Sequence, residues 1–384
     1  MSGGSRRRWV LGGLGGALGV AAAGTAIGVL RERRQLDRAP GDQVAFGTLR
    51  SPALTVVADD GVPLHVEIDE VDRDGASGAA GATSAAARVA AVRERLAPRA
   101  RPGRRRGAEA PPTIVFVHGY CLTLDSWHFQ RAAYRGLLRT VFYDQRSHGR
   151  SGRSDREHAT IDQLGRDLAR VIETAAPEGP VVLVGHSMGG MSIIALAEQQ
   201  PELFGDRVVG VALLSTTAGG LDPARILLPV LPVRLTGGVT RSTVAALNRG
   251  SGLVDLARRA GRQVLEAATH HFAFGGDVPV SYVQAVDDML AATPFEVVAD
   301  FFPAFHRLDK FDSLAALGAV PVVILCGTRD RLTALGHSRK LRTRIPGARL
   351  VECLDAGHMI PLERHEQVNA ELDQLLARAL GGAS

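Results

Sequence analysis

The feature that most constrains the fold of this chain is an apolar run that leads into a serine flanked by glycines. Residues 181–184 read Val-Val-Leu-Val, and Gly185-His186-Ser187-Met188-Gly189 follows them directly. A serine on a sharp turn between a strand and a helix needs small neighbours, because the two backbone legs of the turn approach each other closely. A helical pattern then covers 191–200, where Pro201 ends it. The stretch therefore predicts a buried strand, a strained turn that exposes the Ser187 hydroxyl, and a helix.

Strand and helix patterns alternate on both sides of this turn. Apolar, β-favouring runs predict strands at 54–57, 64–68, 113–117, 140–144, 181–184, 208–214, 320–325 and 349–353. Helical patterns lie at 126–138, 161–172, 191–200 and 362–380. Such alternation is typical of the α/β class, in which helices cover both faces of a mostly parallel sheet.

Shifts in composition divide the chain. The alternating pattern defines a core, and it is interrupted by an Ala-, Gly- and Arg-rich insertion and by a helical segment with many apolar and aromatic residues. The predicted parts are an N-terminal anchor or signal-like segment at 1–35, a tether at 36–52, the core at 53–218 and 311–384, the low-complexity insertion at 72–112, and a helical lid at 219–310. The lid is expected to cover one end of the sheet.

The N-terminal segment has an uncharged run that begins at Trp9 and ends at Leu30. About twenty such residues are enough to cross a bilayer as one helix. We expect a single N-terminal span in the cell membrane, since no clear small-x-small cleavage site follows. The alternative is export through a twin-arginine-like signal, because Arg6-Arg7-Arg8 precedes the run. Arginines on both flanks leave the side of the membrane undecided.

Charge and cysteine content exclude several function classes. The formal net charge of +5 comes with arginine clusters outside the core-forming segments, so no nucleic-acid partner is expected. Cys121, Cys326 and Cys353 have neither the number nor the spacing of a disulfide framework or a metal site. We predict no metal and no cofactor.

Two further residues have the types and positions that a nucleophilic serine requires. A serine hydroxyl needs a base to accept its proton and a third group to hold that base. His358 follows the strand at 349–353, and Asp330 follows the strand at 320–325. Catalytic groups of open parallel sheets gather at the carboxyl ends of strands. Asp355 is the competing acid, and we favour Asp330 because Asp355 is only three residues from His358.

Together these motifs resemble the serine-nucleophile branch of the α/β-hydrolase superfamily over about 54–380. The resemblance rests on His118-Gly119, the loop from Asp144 to Ser151, the Ser187 motif, Asp330 and Gly357-His358. It implies an α/β-hydrolase fold with Ser187 as nucleophile, His358 as base and Asp330 as acid. It also implies an oxyanion hole formed by the backbone amides of Tyr120 and Met188, with Gly185 and Gly189 as the elbow glycines. Ser147 departs from the pattern, since that position of the loop usually holds glycine.

The resemblance implies a serine hydrolase of the carboxylesterase or lipase-like kind. It would cleave carboxylic ester, thioester or lactone bonds through an acyl-enzyme. The apolar lid favours an apolar small-molecule or lipidic substrate. Two alternatives stay open: a cofactor-free haloperoxidase or perhydrolase with the same three residues, and a non-catalytic binding protein on the same fold.

Overall fold

A mixed sheet forms the centre of the protein. The computed structural model describes residues 45–72, 112–221 and 269–381. Within these ranges the sheet has eight strands, in the order β1-β2-β4-β3-β5-β6-β7-β8. They are β1 (Ala53–Val57), β2 (Pro63–Asp69), β3 (Thr113–Val117), β4 (Thr140–Tyr143), β5 (Val181–His186), β6 (Val208–Leu214), β7 (Val322–Gly327) and β8 (Arg349–Cys353).

Most neighbouring strands run parallel. β1 pairs with β2 and β2 with β4 in antiparallel fashion, whereas every pair from β4 through β3, β5, β6 and β7 to β8 is parallel. The predicted mostly parallel sheet is confirmed. The carboxyl ends of the parallel strands share one edge, so the residues that follow β3, β5, β7 and β8 meet there.

Helices cover both faces of the sheet. They are α1 (His128–Tyr134), α2 (Ile161–Ala175), α3 (Met188–Gln199), α4 (Val280–Ala292), α5 (Phe295–His306), α6 (Leu335–Arg344), α7 (Ile360–Glu363) and α8 (His365–Gly381). The side chains of β3 alternate between two cores. Val115 packs in a cluster with Leu168 of α2, and Phe116 packs in another with Leu372 of α8. A strand buried on both faces reads as an unbroken apolar run, which is why the sequence marks these strands clearly.

Two helices differ from their predicted limits. α3 begins at Met188, directly after Ser187, and not at 191. Gly189 therefore lies inside the helix, where a Cβ atom would come within 2.1 Å of the Val117 carbonyl oxygen. Gly189 is therefore needed because α3 approaches β3 closely here, and not because the chain forms a loop. The helix predicted at 362–380 is divided at Arg364 into α7 and α8.

The low-complexity insertion leaves and rejoins the sheet at the edge opposite to the carboxyl ends. Asp69, the last residue of β2, lies opposite Thr140, the first residue of β4. β3 begins at Thr113, also on this amino edge. Residues 73–111 of the insertion lie outside the described part of the chain.

The predicted lid is described at 219–221 and from residue 269 onward. This part contains α4 and α5, and 222–268 lie outside the described residues. The Tyr120 hydroxyl donates a 2.7 Å hydrogen bond to the Val298 carbonyl of α5. The rings of Tyr120 and Phe305 are 4.9 Å apart. α5 is thus fastened to the loop that follows β3.

The end of the predicted tether packs against the domain. The Phe46 ring lies 5.8 Å from Phe129 of α1 and 5.7 Å from Tyr282 of α4. Arg50 donates a 2.7 Å hydrogen bond to Asp125. Earlier residues, including the predicted anchor from Trp9 to Leu30, lie outside the described part and stay a prediction. None of the described helices has the length and apolar character needed to cross a membrane.

Candidate active site

Ser187 occupies a strained position between β5 and α3. Its φ is 51° and its ψ is −115°, a region that residues with a Cβ atom rarely adopt. The Ser187 amide donates to the Leu214 carbonyl at 2.9 Å. The Ser187 carbonyl accepts a 2.6 Å hydrogen bond from the Thr216 hydroxyl. A Cβ atom at Gly185 would lie 2.6 Å from the Gly189 carbonyl group. The turn therefore requires glycine where the two legs meet.

Asp330 and His358 are joined by a hydrogen bond of 2.9 Å between Oδ2 and Nδ1. The other carboxylate oxygen accepts from the amides of Leu332 and Thr333, each at 2.9 Å, and the Thr333 hydroxyl donates to Oδ2 at 2.8 Å. Burial alone would raise the pKa of Asp330, but His358 and these hydrogen bonds lower it to about 2. An ionised carboxylate only accepts, so Nδ1 of His358 carries the proton and Nε2 is left as a base.

Asp355, the competing acid, points elsewhere. It is exposed, has a φ of 56°, and pairs with Arg329 at 2.7 Å. Its amide donates to the Thr328 hydroxyl. The structure therefore brings Asp330, and not Asp355, to His358.

Ser187 and His358 line one cavity of about 90 Å³ at the carboxyl edge of the sheet. The apolar residues of its lining include Met191, Leu221, Val286, Leu290 and Phe305. Among the described residues, no hydrogen bond joins the Ser187 hydroxyl to the His358 imidazole. Catalytic hydrogen bonds of this kind often tighten only when substrate binds.

The amides of Met188 and Tyr120 belong to residues that follow Ser187 and Gly119 directly. Neither N–H donates to an acceptor among the described residues. Met188 is the first residue of α3, so its amide has no partner within the helix. A Cβ atom at Gly119, next to Tyr120, would be 3.2 Å from the Ser187 Cβ. Backbone N–H groups without a partner in the protein are available to a ligand at this place.

A model of the alpha/beta hydrolase family matches residues 114–371, which include all of these strand ends. The chain belongs to the alpha/beta hydrolase family. The eight-stranded, mostly parallel sheet flanked by helices is the fold of that family.

Relatives of this alpha/beta hydrolase have different named activities. A dihydrolipoyllysine-residue acetyltransferase component of the acetoin cleaving system of Pseudomonas putida is 26% identical over 275 residues, which cover 69% of this chain and 64% of the relative. Among solved structures, a thermophilic esterase of Thermogutta terrifontis has a TM-score of 0.58 at 19% identity and covers 86% of this chain and 99% of its own. A bromoperoxidase of Bacillus anthracis has a TM-score of 0.57 at 18% identity, covering 85% and 100%.

His118 supports the loop after β3. Its Nε2 accepts from the Gln145 amide at 2.8 Å, so Nδ1 is the donor to the Gly119 carbonyl at 2.7 Å. Burial lowers its pKa to about 4, which keeps the ring neutral near pH 7. Because both ring nitrogens are engaged, His118 fixes the backbone next to Tyr120.

His186 and Cys121 also border the site. The His186 Nε2–H donates to the His358 carbonyl oxygen at 3.0 Å, and burial lowers the pKa of His186 to about 3. The neutral ring of His186 therefore holds the backbone of His358 in place. Cys121 lines the cavity, and burial raises the pKa of its thiol to about 12, so the unreactive thiol form prevails.

Two supporting residues were not predicted from the sequence. Thr333 hydrogen-bonds to Asp330, and the three-residue spacing of Asp330 and Thr333 is a recognisable turn signal that could have identified it. Glu363 accepts hydrogen bonds from the backbone amides of Gly357, Gly275 and Gly276. Nothing local in the sequence marks Glu363, because its partners are main-chain groups.

Proposed function

We propose that the protein is a serine hydrolase that cleaves carboxylic ester, thioester or lactone bonds through an acyl-enzyme. The proposal is carried by one observation: a buried, ionised Asp330 holds His358 in the tautomer of a base, in the same cavity as the strained Ser187. Family membership and esterase-like structural neighbours agree with hydrolysis.

In the first half-reaction, Ser187 Oγ attacks the carbonyl carbon of the ester while Nε2 of His358 accepts the hydroxyl proton. The negative charge that develops on the carbonyl oxygen is accepted by the N–H groups of Tyr120 and Met188. One such donor is worth about 3 kcal/mol of transition-state stabilisation. Asp330 stabilises the imidazolium without taking its proton.

Collapse of the tetrahedral intermediate breaks the bond to the alcohol oxygen, which receives the proton from His358. Water then attacks the acyl group on Ser187, and the same imidazole accepts the water proton. The second collapse returns that proton to Ser187 Oγ and releases the carboxylic acid.

The cavity favours a neutral, apolar acyl or alcohol group. The described residues that line it include no aspartate, glutamate, lysine or arginine. A charged substituent would therefore lose its hydration without gaining a partner of opposite charge. The proposed substrates are apolar small-molecule or lipidic esters.

Replacing Ser187 tests this function. Ser187→Ala should abolish turnover of p-nitrophenyl esters and labelling by a fluorophosphonate, because the attacking oxygen is removed. Ser313→Ala, which removes a hydroxyl bonded to Glu198, is the matched control and should keep both signals. Undiminished ester turnover in Ser187→Ala would refute the proposal.

The same preparations should be assayed for acetate-dependent halogenation with peroxide, because a bromoperoxidase shares the fold. We expect ester hydrolysis to be the faster reaction. Halogenation that exceeds ester turnover would instead favour a perhydrolase. Absence of fluorophosphonate labelling in the folded wild type would favour a binding protein.

A further inference from the structure

Glu363 gathers backbone amides from two separate parts of the chain. Its Oε2 accepts from the Gly357 amide at 2.7 Å and from the Gly275 amide at 3.1 Å. Its Oε1 accepts from the Gly276 amide at 3.2 Å. Gly357 directly precedes His358, whereas Gly275 and Gly276 follow a helical turn at 269–273 that contributes to the cavity lining. A single carboxylate thus connects the His358 turn to a wall of the cavity.

The two segments are in direct backbone contact at this point. A Cβ atom at Gly357 would lie 2.4 Å from the Gly275 nitrogen, and one at Gly275 would lie 2.4 Å from the Ala356 carbonyl carbon. On the other side of His358, the Met359 amide donates to the Ala273 carbonyl at 2.8 Å. The backbone of His358 is therefore held between two attachments to one segment.

Charge makes the carboxylate suited to this role. An ionised carboxylate is an acceptor at both oxygens, and hydrogen bonds to a charged acceptor are stronger than neutral ones. Burial raises the pKa of Glu363, while the glycine amides and the neighbouring Arg364 act in the opposite direction. Glu363 is not among the residues that line the cavity.

We propose that Glu363 is a positioning residue for the catalytic base: its carboxylate fixes the turn that carries His358 against segment 273–276. The inference rests on the proposed function, in which His358 moves protons. Asp330 and His186 hold the ring and the carbonyl of His358, and Glu363 holds the chain just before it.

Glu363→Gln is the primary test, because it keeps the size of the side chain and removes one acceptor. In either orientation its NH₂ group faces a glycine N–H, so at least one donor loses its partner. Glu363→Asp keeps the charge but is shorter by one methylene. Glu366→Gln, on the exposed side of α8, is the matched control.

We expect kcat for a p-nitrophenyl ester to fall about tenfold to a hundredfold in Glu363→Gln, because small displacements of a base are costly. KM should stay within about twofold. Assays are run well below the melting temperature of every variant, so that a purely structural role would lower the melting temperature and leave kcat unchanged. Amide hydrogen exchange at Gly357 and Gly275 should be faster in Glu363→Gln than in Glu366→Gln.

A kcat within about twofold of the Glu366→Gln control in both Glu363 variants would overturn the proposal. If Glu363→Gln does not fold, Glu363→Asp decides by the same criterion. If the folded wild type hydrolyses no ester, the proposed function fails. Hydrogen exchange at Gly357 then decides the role of Glu363 separately, and unchanged exchange overturns it.

Discussion

At the scale of single residues, Thr333 connects the two ionisable side chains of the site. Its hydroxyl lies 2.8 Å from Asp330 Oδ2 and 3.3 Å from His358 Nδ1. The hydroxyl hydrogen can point only toward the carboxylate, because Nδ1 already carries a proton. Thr333 therefore helps to keep Asp330 ionised and in place.

Thr333→Val should lower kcat about tenfold, since a hydrogen bond to a charged group is worth about 1.5–3 kcal/mol. Thr333→Ser keeps the hydroxyl and should stay near the wild-type value. Steady-state kinetics with a p-nitrophenyl ester measure both. Equal kcat values for the valine and serine variants would mean that the hydroxyl has no catalytic consequence.

Ser147 shows how one residue can depart from a family pattern without disturbing the fold. Its φ is 65°, in the left-handed region where glycine is favoured. Its hydroxyl oxygen accepts from the Ser154 amide at 2.9 Å, and its own amide donates to the Gly152 carbonyl. These bonds offset the strain of a Cβ atom at this position.

At the scale of elements, α3 and α6 each contain a glycine near their start, with opposite surroundings. Gly189→Ala should destabilise the protein by about 3 kcal/mol or more, because the added methyl meets the carbonyl of Val117 on β3. Gly336→Ala in α6 is the control, since nothing lies within 4 Å of its Cβ position. It should be neutral or stabilising by up to about 1 kcal/mol. Urea denaturation of both variants gives the comparison, and equal stabilities would contradict it.

Sequence patterns located the strands better than the helix ends. β6 and β8 have the predicted limits. β6 is nearly continuously apolar, as expected of a strand that is buried on both faces. The start of α3 and the break at Arg364 depend on contacts with distant residues. The Gly189-Gly190 pair resembles a loop in sequence, yet it is helical, and its lack of side chains leaves room for β3 and Thr216.

The residues of the candidate site also fall into those that the sequence predicts and those that it does not. Ser187, Asp330 and His358 follow strands, so their meeting at one edge could be predicted from strand order. Glu363 could not be predicted, because its partner Gly275 is 88 residues away and contributes only a backbone amide. Main-chain partners leave no side-chain signature in a sequence.

At the scale of the whole molecule, three buried histidines are kept neutral. Burial lowers the pKa of His118 and His148 to about 4 and that of His186 to about 3, from an ordinary value of 6.5. In the unfolded chain these rings take up protons as the pH falls below about 6.5. The unfolded state then binds more protons than the folded one, so acid destabilises the protein.

The free energy of unfolding should therefore be lost as the pH falls from about 6.5 toward 4, by up to about 1.4 kcal/mol per pH unit for each histidine. His148→Gln should make the free energy of unfolding depend less steeply on pH, by the contribution of one histidine. His158 is the control, because its hydrogen bond to Asp155 raises its pKa instead of lowering it, and His158→Gln should therefore not reduce this acid-induced loss. Denaturant titrations between pH 5 and 8 measure the slopes, and identical slopes for wild type and His148→Gln would contradict the prediction. Asp330 lowers the free energy of unfolding further only below about pH 4, since its pKa is lowered to about 2 in the folded protein.

The 72–112 insertion connects to the sheet on the side away from Ser187. β2 ends and β3 begins at the amino edge, and a five-residue strand such as β3 separates that edge from the carboxyl ends by about 15 Å. The protein can therefore be attached in a defined orientation: a fusion partner or surface linkage joined at Asp72 or Pro112 would hold it by the amino edge of the sheet and leave the carboxyl edge, where Ser187 lies, away from the attachment.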